Sequence, residues 1–363
     1  MAKGNQATKG DQFGTLTPEF LIYIKDLNHP VDTISADMIS LNVLDDVDAP
    51  GMAALMLSAW NSVDVKPKWI DDDMFREGNP MKIEMGYRDQ KVSVFNGEIT
   101  GLEPYFGEMR APTLTVRGYD RRHRLMRQRK TKSFINLKDS DIASQVAQQA
   151  NLKPQVEDSK VKLPYVLQHN QTDLEFLLAR ARRINYEVVV QDKVLSFRSR
   201  KINTAAKLTL RRDIELLEFR PRMTTMNQAQ EYIVRGWSPK DKKEIVGRSV
   251  AGDESTVMEG HASGPANVQQ HFSSTGTTRV TAPVQSQEEA DHMAKQGFSE
   301  MALSYIRAEG VCIGDPRLQP GTVVKIEGLG TRFSGLYYIY STEHRFSMQK
   351  GYRTTFSARR NAT

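Results

Sequence analysis

The sequence predicts an α+β protein in which two antiparallel β regions flank a small helix-containing middle domain. Three observations predict it. Runs at 81–87, 92–102 and 113–118 alternate apolar and polar residues with period two, the mark of half-buried strands. A helix opens at Thr172 with Glu175 three residues on, a capping box, and carries a stripe of Leu174, Leu177, Leu178 and Ala181. Further strand runs at 322–327, 335–340, 343–347 and 353–359 close the chain. A chain of 363 residues is long for one domain, so two or three are expected.

In order, residues 1–16 read as a flexible polar lead. Strand-like runs follow at 20–24 and 38–43, the second ending in Asp45-Asp46-Val47-Asp48. The three alternating runs come next and argue for an antiparallel barrel or sandwich. Beyond a basic stretch, 121–132, a helix begins near Asp139 or Ser140, with Ile142, Val146 and Ala150 along one face. The capped helix from Thr172 ends at Asn185, a residue suited to the left-handed position, and a hairpin follows about 191–193. Strands resume from Lys207. Residues 249–283 are polar and aperiodic and read as a long loop; Ser286 and Glu289 then cap an inserted helix, 286–309.

The two β regions echo each other. Residues 80–86 match 321–328 in pattern, Phe95-Asn96-Gly97 matches Phe333-Ser334-Gly335, and each region ends in a strand, 113–117 and 354–359. The echo implies two related barrels separated by the middle domain.

Apolar residues make up 39% of the chain, which supports folded cores, and no run of eighteen apolar residues exists to span a membrane. The N-terminus lacks the apolar core of a secretory signal. The single cysteine, Cys312, fits a reducing compartment and reads as a buried structural thiol. Net charge is +6. Seven of the twelve residues 121–132 are Lys or Arg, among them Arg121, Arg122, Arg124, Arg127, Arg129 and Lys130. Such a run would bind phosphates in a salt-sensitive way, but no Phe, Tyr or Trp is interleaved for base stacking. A solvated or partner-facing basic surface fits better, and those six residues form the candidate interface. Nucleic-acid binding through 121–132 is the alternative. Tyr119, Asp120 and His123 offer acid/base chemistry only if they converge, and neighbours on a strand point to opposite faces. His261, His271 and His292 fit no zinc spacing, and no hydrolase, phosphate-loop or dinucleotide motif occurs.

Three strings together resemble the phage late control D family, the baseplate hub proteins of contractile tails. They are Gly118-Tyr119-Asp120-Arg121-Arg122-His123-Arg124-Leu125; Gln168-His169-Asn170-Gln171-Thr172-Asp173-Leu174-Glu175-Phe176-Leu177, continuing to Val188; and Gly314-Asp315-Pro316-Arg317-Leu318-Gln319-Pro320-Gly321, continuing to Gly335. The hub portion of VgrG-type spike proteins is similar. The resemblance implies two tail-tube-like β-barrel domains per chain, 17–130 and 206–363, around an α+β middle domain, 131–205. It implies a homotrimer whose six barrels form a pseudo-sixfold ring on the tail tube or a tube-initiator protein, with a threefold face for a trimeric spike and contacts to baseplate wedge proteins. Because the chain stops at Thr363, directly after its last strand, the spike is expected from another chain. The expected role is structural, without catalysis, cofactor, metal or membrane insertion. The expected place is a phage tail or tail-like particle assembled in the bacterial cytoplasm. No lysozyme-like insertion is evident, which lowers a cell-wall hydrolase reading.

Overall fold

The computed structural model describes residues 17–363 except 89, 239, 240, 255, 273–275 and 285. The expected polar lead, 1–16, lies outside the described residues.

The first β region holds β1 (Pro18–Ile24), β2 (Met38–Asp46), β3 (Met52–Ser58), a small ribbon of β4 (Trp60–Asn61) and β5 (Lys66–Pro67), then β6 (Pro80–Tyr87), β7 (Gln90–Tyr105) and β8 (Thr113–Asp120). Period-two alternation sends every second side chain inward, so β3 and β8 alternate strictly between buried and half-buried residues. Leu55, Leu57, Ile83, Leu114 and Val116 form the centre of this core.

The middle domain holds β9 (Arg129–Lys138), α1 (Asp139–Gln149), β10 (Lys153–Val156), β11 (Lys162–Thr172), α2 (Asp173–Arg183), β12 (Tyr186–Gln191) and β13 (Val194–Ser199). The capping box at α2 is formed: Glu175 N donates to Thr172 Oγ1 at 3.1 Å, and Thr172 N donates to the Glu175 carboxylate at 2.9 Å. The apolar faces of α1 and α2 bury Ile142, Val146, Leu174 and Leu177 against Val188 and Phe197.

The second β region begins with β14 (Thr209–Arg211) and β15 (Leu216–Met223). An inserted unit follows: β16 (Glu231–Ser238), β17 (Lys243–Val250), α3 (Gly264–His271), β18 (Thr277–Thr281) and α4 (Gln287–Leu303). The region resumes with β19 (Ile306–Ile313), β20 (Val323–Glu327), α5 (Gly330–Phe333), β21 (Gly335–Ser347) and β22 (Gly351–Arg360).

The structure departs from several expectations. The stretch 249–283 is not a single loop. Ser263 caps α3, whose first turn carries Pro265, and the polar strand β18 runs parallel to β16. The inserted helix ends at Leu303, not 309, and β19 begins three residues later. The runs 335–340 and 343–347 are one strand, β21, bulged at Tyr340. The protein is mostly β, with few helices.

Ten strands follow the order β1-β6-β7-β8-β3-β2-β21-β22-β19-β15, and β14-β20 branches from β21, giving one curled twelve-stranded sheet. It consists of two halves. The first half runs β1-β6-β7-β8-β3-β2 and the second β14-β20-β21-β22-β19-β15, so strands of equal rank in the chain occupy equal places. The four inner pairings are antiparallel in both. The outermost differs: β1 meets β6 antiparallel, while β14 meets β20 parallel.

Register sharpens the equivalence. β7 slips by one residue between Ile99 and Gly101 against β8, and β21 slips between Ile339 and Ser341 against β22. A second slip, between Met38 and Ser40, recurs between Leu216 and Glu218. Bulges at matching places are unlike chance strand similarity, because each fixes the register around it. Lys82-Ile83 of β6 and Lys325-Ile326 of β20 take equivalent places, as the sequence echo implied. The Phe-x-Gly part of the echo fails: Ile83 faces Phe95 where Ile326 faces Gly335, and Phe333 lies in α5.

Among the described residues neither half closes into a barrel of its own. The outer edge of β2 pairs instead with β21, Ser40 facing Ser347 through Asp46 facing Ser341. β22 therefore lies inside the sheet, between β21 and β19, rather than closing a barrel. Phe346 and Tyr352 of the second half pack into the core of the first.

Candidate assembly site

The basic stretch begins where β8 ends. Asp120 accepts from Arg122 N at 2.7 Å and from Gly51 N at 2.6 Å, which folds 121–126 into a tight 3-10 turn. The turn points its cations inward. Arg121 donates to Glu98 at 3.1 Å and to Asp192 in the turn between β12 and β13. Arg122 donates to Asp120 at 2.8 Å, to the Asp46 carbonyl at 2.7 Å and to Asp45 at 2.7 Å. Arg124 holds both carboxylate oxygens of Glu98 and reaches the Ala150 carbonyl after α1.

These contacts correct the expected basic surface. The Arg121 and Arg122 side chains are 2% and 6% exposed, so neither can face a partner. Apart from Asp120, two residues before Arg122, their acidic partners come from β2, β7 and the β12–β13 turn, distant in the sequence. Of the other candidates, Arg127 is exposed beside His123. Arg129 and Lys130, on β9, pair with Glu175 at 2.9 Å and Asp173 at 2.6 Å at the start of α2. The six residues do not converge on one surface.

The same packing removes the acid/base reading of Tyr119, Asp120 and His123. Asp120 is occupied by Arg122 and Gly51, and His123 donates from Nε2 to Glu98 at 3.0 Å while its Nδ1 accepts from Arg127. Burial lowers the pKa of His123, more than its bond to Glu98 raises it. Burial pushes the Glu98 carboxyl up, but the bonds from Arg124 and His123 and the charges of Arg124 and Arg121 outweigh it and hold Glu98 below the usual carboxylate range. Burial also pushes the Cys312 thiol up, and the residue lies in the core of the second half of the sheet, the second core, with Ile306, Ile326 and Phe356, buried as the sequence suggested.

The cluster is a joint, clamping the middle domain to the first half of the sheet. Further ion pairs do the same elsewhere. Arg182 meets Asp48 at 3.0 Å, Arg183 of α2 meets Glu289 of α4 at 2.6 Å, and Arg200 meets Glu300. Between the first half, the middle domain and the second half lies a cavity of about 500 Å³, lined by both signs of charge, including Asp45, Asp120, Arg122, Glu187, Arg198 and Lys207. No group of three or more His, Cys, Asp or Glu residues placed to hold a metal occurs among the described residues.

Among the described residues, edges of the sheet are open to a partner. β15 is the last strand of its order, and β7 continues past the end of β6 through 100–105 with β8 on one side only. Tyr105 and Phe106 there are 58% and 62% exposed. The missed signal was the length of the strand: 16 residues in β7, against 8 in each of its partners, leave an overhang.

Solved structures share this architecture. The chain is similar to a tail protein of prophage MuSo2 from Shewanella oneidensis, with a TM-score of 0.70 and 15% identity over 95% of this chain and 98% of that one. It is similar to a tail protein from Neisseria meningitidis, with a TM-score of 0.67 and 11% identity over 94% and 96%. An E. coli component of the type VI secretion system aligns at a TM-score of 0.55 and 13% identity, over 94% of this chain and 77% of that one. At these identities the likeness is one of fold. No curated protein matches the sequence. The family described as the Alg8 N-terminal domain matches residues 31–347, most of the length, and the chain belongs to that family.

Proposed function

We propose that this chain is a structural baseplate hub of a contractile phage tail or tail-like injection system. Three copies would form a ring of six half-sheets that receives the hexameric tail tube, while the opposite, threefold face seats a trimeric spike. The observation that carries this reading is the duplicated six-strand arrangement within one chain, shared bulges included. A chain built of two equivalent halves converts threefold into near-sixfold symmetry, which is the task of an adaptor. The likeness in fold to tail proteins and to a secretion-system component supports it. So does the late control D resemblance of the strings at 118–125, 168–188 and 314–335.

The work proposed is mechanical rather than catalytic, and needs no cofactor. Sheath contraction would be passed through rigid joints to tube and spike, with tube, spike and baseplate wedge proteins as partners in a particle assembled in the bacterial cytoplasm. The Arg121, Arg122 and Arg124 joint suits that role, because separating its members would leave buried charges without partners. The same burial weakens the nucleic-acid alternative, since three of its cations are already neutralised. Mass photometry of the purified chain, alone and co-expressed with tube and spike proteins, tests the reading. Trimers, or trimers on co-expression, are expected; a chain that stays monomeric with both partners contradicts it.

A further inference from the structure

We infer that β15 of one copy pairs with the overhang of β7 in the next copy, in the register that β2 and β21 use within the chain. The inference rests on the assembly reading above and adds the edges and the register.

The two halves supply the geometry. β2 and β15 are equivalent strands, as are β21 and β7, by sheet order and by their matching bulges. Within the chain, β2 of the first half is joined to β21 of the second. The reciprocal junction, β15 of a second half to β7 of a first, is absent from the single chain. Both of its edges are nonetheless present and without a strand beside them among the described residues.

Side chains fit that junction. On β21 the inward residues after the bulge, Thr342, His344 and Phe346, are buried, and β2 lies alongside. Their equivalents on β7 and just beyond it are Leu102, Pro104 and Phe106. All three are apolar, yet Leu102 is only half-buried and Pro104 and Phe106 are exposed. On β15 the equivalents of Leu41 and Val43 are Phe219 and Pro221, half-buried where the former pair are fully buried. A neighbouring copy would complete the apolar layer that the intrachain junction already has. Transferring the β2–β21 register sets Phe219 opposite Phe106, Pro221 opposite Pro104, and Arg222 opposite Glu103. The last is an opposite-charge cross-strand pair. The two prolines lack N–H groups, so the centre of the junction is held by side chains, with ladder bonds on either side. Proline on an exposed edge also keeps each strand from pairing indiscriminately before assembly.

The test is a cysteine cross-link in the full-length chain. Arg222→Cys protein is mixed with Glu103→Cys protein and oxidised mildly; Cys312 is buried and stays out of the reaction. A disulfide-linked pair is expected from the mixture and from neither variant alone. In addition, Arg222→Glu is expected to weaken association by about fivefold, because it sets two carboxylates opposite each other. Oligomers without the cross-link would overturn this pairing and leave the hub reading standing. A chain that neither associates nor cross-links would overturn both.

Discussion

The two halves of the sheet share strand order and bulges, and differ in what they do with them. The link from β2 to β3 spans residues 47–51; the equivalent link from β15 to β19 holds the whole inserted unit, with its own core around Val234, Ile245, Ala290 and Ala294. The last residue of β8, Asp120, is a buried carboxylate that anchors Arg122. Its equivalent at the end of β22 is Arg360, 1% exposed, which donates to the Ser334 carbonyl at 2.6 Å. Inward positions on β21 are buried, and those on the β7 overhang are half-buried at Leu102 and exposed at Pro104. Topology and register are retained while side chains are rebuilt, so the halves keep one shape with different neighbours.

Removal of β22 is expected to have the largest effect on the two halves. It pairs with β21 and β19 at once and buries Tyr352, Thr354 and Phe356 on one face. Ending the chain near Gly351 would expose two strand edges and open the second core. Aggregated protein, without cooperative melting, is expected by calorimetry and size exclusion; a soluble chain with normal melting would show that the strand is dispensable.

Next is the charged joint of the first half. Glu98→Ala leaves Arg121 buried with one carboxylate fewer, and a loss of about 3–5 kcal/mol in urea unfolding is expected. Arg127→Ala, on an exposed side chain of the same turn, should leave the urea midpoint unchanged. Equal effects from the two would contradict the assignment of an inward-facing joint.

A smaller effect separates the halves by pH. His344, buried in β21, donates from Nε2 to the Leu318 carbonyl at 3.0 Å and accepts at Nδ1 from Tyr352 and Thr354. Burial pulls its pKa down to about 4. The unfolded chain therefore takes up a proton between about pH 6.5 and 4 that the folded chain refuses. Stability should fall as pH drops through that window, by about 3 kcal/mol from this group. Its equivalent in the first half, Pro104, cannot titrate. In His344→Gln the slope of stability against pH across that window should flatten; an unchanged slope would place the acid sensitivity elsewhere.

The smallest effect sharpens the boundary of the basic stretch. Reversing Arg127, Arg129 and Lys130 together is expected to leave DNA binding at about 150 mM salt weak, as in the parent chain. Each phosphate contact contributes a slope of about −0.9 in log affinity against log salt. Tight binding in the parent that the reversal abolishes would revive the nucleic-acid alternative.

Much of the fold was legible because its signals are local. Alternation marked β6, β7 and β8, and capping pairs marked α2 and the start of α4. Lys82-Ile83 and Lys325-Ile326 revealed the duplication. What failed was non-local. Arg121 and Arg122 looked like surface charge because Glu98, Asp45 and Asp192 meet them only after folding. The inserted unit was hidden because β18 is short and polar and pairs with β16 across more than forty residues of chain. Phe333 mimicked Phe95 by composition, whereas register assigns Phe95's place to Gly335. The open edges on β7 and β15 emerged only once the intrachain β2–β21 junction was visible.

Electron cryomicroscopy of the assembled oligomer would show the junctions between copies themselves. Three copies in a ring are expected, with six near-equivalent junctions that alternate between β2–β21 within a chain and β15–β7 between chains. A monomer, or an assembly whose copies meet through other surfaces and leave β15 and the β7 overhang bare, would contradict it.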